Sequence, residues 1–511
     1  MSNLDPKEIQ AQLQAFKDDP IAEMNRHPEK TVKQNDIAFG TAFSSEDIES
    51  KRYLDAREEL RNALLEVEDP TTGRAAFQAN DNAANLVDDF QFNNLQAMDD
   101  ANLLKAEIPE NPWSDDYWAL YQGILGNRYS DQNYPSSRNW KENKDYIDSN
   151  SAADILQSGS SARINALSPS EKYDAIIGDN SGSLTQAMWA EGKSYYDRFG
   201  SVETWMGICH GWAPAAYMLP RPTKTVTLTT PDGSTPIDFY PSDIKSLATL
   251  LWANIRTQSR FIGGRCNDKD PATDPSNGRN LSDDCFDTNP GSWHMTVVNQ
   301  IGVSKRSLVV DATYDYEVWN QPGLSYEYSY INLNTDRSTS NLADAIINLD
   351  DYANDPFSRY RSNRTQQIVG IAMDFDYMVE TSPTADRTDN PDKDAIHTAR
   401  YLYDLEIDAS GKIIGGEWRT NIHPDFIWTP APDEQAITAF EDQATGSWSG
   451  ANSPLPSNWQ SAAQQASAQQ RAPLAKIVEQ IISFSNDVAA NTDSGTTTPD
   501  GISIEDILDK I

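Results

Sequence analysis

At 511 residues the chain is long enough for about two to four ordinary domains. Its 13 Trp, 21 Tyr and 15 Phe exclude a disordered polymer, although apolar residues make up only 38%. The formal net charge of −36 excludes nucleic acid and anionic membrane surfaces as partners, because phosphate recognition needs Lys and Arg; it suits cationic partners such as lysine-rich proteins, or calcium.

No run approaches the roughly 20 apolar residues of a membrane-spanning helix, so membrane insertion is not expected. The opening residues carry no basic stretch followed by an apolar one. Residues 1–109 read as a mainly helical N-terminal region. Ile9, Leu13 and Phe16 recur at helical spacing, Ser44 to Glu68 has a helix start and a periodic run, and Leu86 to Leu104 is a further candidate. Trp113 to Tyr121 reads as a buried helix, and Gln186 to Phe199 as a helix stopped by Gly200. Pro214 suits the first turn of a helix, which places Cys209 at or just before a helix N-terminus. Residues 224–239 form a hairpin across Pro231-Asp232-Gly233, and Ile244 to Gln258 a helix. After an acidic loop over 266–291, strands are expected at Trp293–Val303, at Ser307 to about Tyr316 and at Ile368–Glu380. A hairpin joins Tyr401–Asp408 to Lys412–Trp418. Residues 444–473, rich in Ala, Gln, Ser and Asn, read as a linker or surface-wrapping segment, and 473–490 as helical.

The chain has three cysteines. Cys266 and Cys285 bracket the polar loop, and a disulfide between them would close about twenty residues and add roughly 3 kcal/mol. That pairing leaves Cys209 as a free thiol and favours an oxidising compartment. Cys209 has the setting of a nucleophile, since the partial positive charge of a helix N-terminus stabilises thiolate. Gly207 and Gly211 would let a substrate backbone come close. Of the five histidines, His210 leaves the helix about 100° away from the cysteine. His27 and His397 lie in polar, loop-like sequence. His294 opens the strand after the loop. A turn at Gly302-Val303 would bring His294 and Asp311 to the same face of two paired strands. Nucleophile Cys209, base His294 and orienter Asp311 then form a triad.

These residues, in this order, resemble the secreted transglutaminase elicitor family of Phytophthora and its bacterial relatives, whose core is papain-like. The resemblance rests on Gly207-Ile-Cys-His-Gly-Trp-Ala-Pro-Ala215, Trp293-His294, Asp311-Ala-Thr313, Val318-Trp-Asn-Gln-Pro322, Gly415-Gly-Glu-Trp418 and His423-Pro-Asp-Phe-Ile-Trp428. It implies an α+β fold with a nucleophile helix packed on an antiparallel sheet. The expected divisions are 1–109, a catalytic core at 110–432 and a C-terminal extension at 433–511. It implies a secreted or cell-surface protein-glutamine γ-glutamyltransferase that joins a glutamine donor to a lysine or other amine through a Cys209 thioester. A cysteine peptidase, a glutamine deamidase and a non-catalytic recognition protein remain open alternatives. In the family, Val-Trp-Asn-Gln-Pro opens a surface segment recognised by plant defence; here it continues Gly323-Leu-Ser-Tyr-Glu-Tyr-Ser. An oxyanion would need two donors, with the Cys209 N–H and the indole of Trp205 or Trp293 as candidates. The family's frequent calcium dependence draws attention to Asp268, Asp270, Asp274, Asp283, Asp284 and Asp287, whose oxygens suit that ion.

Overall fold

The structure, a computed structural model, describes residues 4–26, 30–34, 82–264, 271–281, 288–312 and 318–486. It is an α+β fold around an antiparallel sheet. The strands are β1 (Lys30–Gln34), β2 (Lys105–Glu107), β3 (Val226–Thr229), β4 (Pro236–Phe239), β5 (Ser259–Gly263), β6 (Val309–Asp311), β7 (Asn320–Asn332), β8 (Arg337–Thr339), β9 (Ile347–Asn348), β10 (Thr365–Val379), β11 (Ala395–Asp408), β12 (Ile413–Trp418) and β13 (Phe426–Pro430). The main sheet runs β1-β11-β10-β7-β6-β13-β5, with β12 added to β11, β2 and β8 to β7, and β9 to β10. Its centre is the long ladder of β7, β10 and β11, where Met373 faces both Tyr401 and Tyr328. β10 is buried along nearly its whole length, so both faces of the sheet are covered there.

Two helical layers provide the cover. On one side the Pro6–Asp18 helix buries Ile9, Leu13 and Phe16, the three residues its periodicity marks. Ile9 and Leu13 pack with Ile331, Leu333, Ile368 and Ala372. On the other, the Cys209–Met218 helix lies between β7 and the almost wholly buried Pro241–Asn254 helix. That second helix starts at Pro241, with the Asp243 carboxylate accepting the Tyr240 N–H at 2.7 Å. The Ser183–Phe199 helix stops at Gly200, whose φ of 77° is the left-handed cap that glycine takes without strain. Both expected hairpins form, β3–β4 and β11–β12.

Four expectations are corrected. Residues 113–119 are buried but irregular, because their backbone is hydrogen-bonded by other segments: Trp113 N–H donates to Ala216, and Tyr117 accepts from Ile208. Between Leu86 and Leu104 only Leu95–Asp100 is α-helical; ahead of it the Asn299 side chain takes up the Gln91 and Phe92 N–H groups and holds the chain extended. Residues 444–473 contain a helix, Ser457–Gln470, that buries Trp459, Ala462, Ala463 and Ala466. The segment 293–303 is not a strand. A helix, Pro290–Val297, begins there with Asn289 as cap and Pro290 in its first turn, and it continues over 298–303 as a wider π-helical coil. The Ser44–Glu68 candidate lies outside the described residues.

Candidate functional site

Cys209 is the first residue of its helix. The preceding turn is fixed by the Ile208 N–H, which donates to the Tyr117 carbonyl at 2.7 Å, so the irregular 113–119 segment supports the start of the Cys209 helix. Gly207 and Gly211 serve packing here. A Cβ at Gly207 would strike the Tyr117 carbonyl oxygen and ring, and one at Gly211 the Thr249 carbonyl oxygen and Ala253. The close approach they permit is therefore within the protein, not to a substrate. Pro214 lies in the second helical turn, so its missing N–H costs a bond to the His210 carbonyl.

The thiol meets the start of β7. Its Sγ lies 3.6 Å from the Val318 carbonyl oxygen, to which S–H donates, and 3.6 Å from the Asn320 Nδ2, from which it accepts. Trp428, on β13, donates its indole N–H to Asn320 Oδ1 at 2.8 Å. Asp311 ends β6 directly opposite Asn320. Its Oδ1 accepts the Trp319 N–H at 3.0 Å, and Ala312 N–H returns a 3.0 Å bond to the Trp319 carbonyl. The Trp319 ring packs on Tyr117 with centroids 5.2 Å apart. Val318-Trp319 is thus a strap across the sulfur, anchored by Asp311. The motif expected to open a surface segment is instead buried from Trp319 to Pro322. Next along β7, Gln321 donates to the fully buried Glu380 at 2.7 Å.

Cys209 and Asp311 stand together; His294 does not join them. The imidazole is wholly buried on the Pro290–Val297 helix, with Nδ1 2.9 Å from the Tyr403 hydroxyl and its ring edge-on to Tyr328, and neither Cys209 nor Asp311 is among its hydrogen-bond partners. Because 293–303 is helical, the hairpin that would have set His294 opposite Asp311 does not exist. Burial pushes the imidazole down to about 3, so it is neutral. If His294 is structural, Tyr403→Phe should lower stability by about 1–3 kcal/mol while leaving Cys209 alkylation unchanged; urea unfolding and iodoacetamide labelling check both. Of the other histidines, His397 lies buried within β11, and His423 stacks on Trp418 at 4.6 Å. His210 is half-buried beside Cys209.

The two indoles expected as oxyanion donors have these surroundings. Trp205 donates to Glu203 at 2.5 Å, and Trp293 packs in the core against Phe375, Tyr401 and Trp418. Asp274 does not fit a calcium ligand: it is buried, accepts from Ser276 at 2.7 Å and Tyr360 at 2.6 Å, and is paired with Arg359. No group of three or more His, Cys, Asp or Glu side chains that could hold a metal occurs among the described residues. Cys266, Cys285, Asp268, Asp270, Asp283, Asp284, Asp287 and His27 lie outside them. The sequence reading missed Asn320, Trp428 and Glu380 as site residues. A usable signal was present, since Asn320-Gln321 puts two amides at the head of an otherwise aromatic strand.

Burial, above all, pushes the Cys209 thiol up to about 12, and the Glu380 and Asp311 carboxylates add to this against the Asn320 donors. Asp116 is pushed up to about 7, again mainly by burial and further by Glu380. At pH 7 only about one thiol in 10⁵ is ionised in this conformation. Iodoacetamide labelling of Cys209 should therefore rise about tenfold per pH unit between pH 7 and 10. Mass spectrometry across that range checks this, and a plateau near pH 8–9 would mean an ordinary exposed thiol.

The family described as transglutaminase elicitor matches residues 86–442, which contain every residue placed at the sulfur above. No curated protein sequence matches. Among solved structures, the chain is similar to the crystal structure of the GP42 transglutaminase from Phytophthora sojae, with 21% identity over 66% of this chain and 86% of that one and a TM-score of 0.44.

Proposed function

Because the chain belongs to the transglutaminase elicitor family, we propose that it is a protein-glutamine γ-glutamyltransferase with Cys209 as nucleophile. The observation that carries this reading is the Cys209 thiol at a helix N-terminus, set between the Asn320 amide and the Asp311 strand. The thiolate attacks the carboxamide of a protein glutamine, ammonia leaves, and a lysine amine resolves the thioester into an isopeptide. We assign proton removal to Asp311 rather than His294. Asp311 stands opposite Asn320 on the strand beside the sulfur, whereas His294 is tied to Tyr403 and held neutral in the core.

The described conformation is then the resting one. Ionising a thiol with a pKa of about 12 at pH 7 costs about 7 kcal/mol, so substrate must displace the Val318 carbonyl and open the site before attack. The same burial favours a second reading, a recognition protein that keeps the fold without turnover. With the family, we place the substrates outside the cell. Any calcium requirement falls to the acidic residues of 268–270 and 283–287, since Asp274 is already paired.

The test is incorporation of a fluorescent primary amine into casein, with and without calcium, beside ammonia release without amine. Incorporation supports the transferase. Ammonia release alone means a deamidase, and neither signal favours the recognition protein.

A further inference from the structure

Asn320 and Trp428 form a pair that the triad does not use. An indole N–H can only donate, so the oxygen of the Asn320 amide must face Trp428 Nε1 at 2.8 Å. This fixes which way the amide points, and its NH₂ is turned onto Cys209 Sγ at 3.6 Å. Asn320 is almost fully buried, so the arrangement is not a solvent-exposed accident. A second donor lies close by. Cys209 is the first residue of its helix, and such an N–H has no acceptor within the helix.

We propose that the Asn320 side-chain NH₂ and the Cys209 backbone N–H form the oxyanion hole, and that Trp428 is the positioning residue that keeps the Asn320 amide from flipping. The inference rests on the acyl-transfer reading above. As Sγ bonds to the carboxamide carbon, the carbonyl π pair moves onto oxygen, and that oxygen projects toward the two donors. Collapse re-forms C=O and breaks C–N, and the nitrogen leaves as ammonia with the proton that came from the thiol. The second half runs in reverse: the amine adds to the thioester, the same oxygen again carries the charge, the C–S bond breaks, and one amine proton passes to the departing thiolate to restore the thiol. Once substrate has opened the site, donors held by Trp428 and by the helix start need no further reorganisation when the charge develops.

The experiment compares wild type with Asn320→Ala, Asn320→Asp and Trp428→Phe in the full chain, measuring kcat and KM for amine incorporation and the rate of Cys209 alkylation by iodoacetamide. Alkylation passes through no oxyanion. Asn320→Ala should lower kcat by about 10²–10³-fold with little change in KM, while alkylation changes by no more than about tenfold. Asn320→Asp keeps the volume but replaces the donor with a charge, so it should lose at least as much. Trp428→Phe keeps the ring and deletes the N–H, and should lower kcat by about tenfold through amide flipping. Wild-type kcat in Asn320→Ala and Asn320→Asp overturns the inference, as does a loss of alkylation equal to the loss of transfer, which would make Asn320 a structural neighbour of the thiol. A wild type with neither incorporation nor ammonia release sinks the acyl-transfer reading, and the inference with it. Activity that survives the variants sinks the inference alone.

Discussion

Cys209→Ala should abolish amine incorporation, by about 10⁴-fold or more, and leave the fold intact. In the proposed transfer the sulfur carries the acyl group, so no neighbouring side chain can replace it. The structural cost should be small. Sγ makes two weak 3.6 Å contacts, and the chain's own N-terminal turn is held by backbone bonds from Ile208 and Gly211 that alanine keeps. Circular dichroism and thermal unfolding of the variant establish the fold, and the casein assay establishes the loss. A variant that folds and still incorporates amine would remove Cys209 from the chemistry and redirect attention to the other cysteines.

Gly211→Ala should have the largest effect of any single-methyl change near the site. The added carbon has no space, because the Thr249 carbonyl oxygen and Ala253 of the Pro241–Asn254 helix already occupy it. Neither neighbour is a flexible side chain that can swing away, so the two helices must separate. Overpacking of this kind costs about 1–3 kcal/mol, and here the upper end or beyond is expected. Because Cys209 is two residues away on the same helix, the displacement also moves the sulfur relative to Asn320. The expected result is a midpoint of urea unfolding shifted to lower concentration, together with loss of transfer. Normal stability would mean that the helix contact is looser than the geometry indicates.

Gly211 also shows what the sequence could and could not reveal. The cysteine at a helix start was legible from Gly-Ile-Cys-His-Gly, although the proline lies one turn further in than expected. The purpose of the glycines was not, since a close approach within the protein and one to a substrate leave the same residue. The N-terminal helix was legible because Ile9 and Leu13 face the sheet and Phe16 packs on Phe357, while the other side meets solvent. Both hairpins followed from their turn residues. The His294 segment failed for the opposite reason: residues 296–302 are buried throughout, so neither a period of two nor one of 3.6 stands out. The deciding signal, Asn289-Pro290 as a helix start, lay inside what read as loop. Asp311 was found beside the sulfur, but its partner strand is β7 rather than the one carrying His294. Trp428 was read as architecture, and only its distance to Asn320 gives it a part in the site.

The Pro241–Asn254 helix stands against the nucleophile helix on one side and the Ala475–Ser485 helix on the other. Ile477, Val478 and Ile481 share one continuous apolar interior with Leu247 and Leu251, and Ser485 exchanges hydrogen bonds with the backbone of Lys224. The segment matched by the family ends at residue 442, more than a helix short of that wall. The apolar interior behind the Cys209 helix therefore extends past the stretch by which the family is recognised. The Ala475–Ser485 helix is a buttress of that interior rather than an appendage to it.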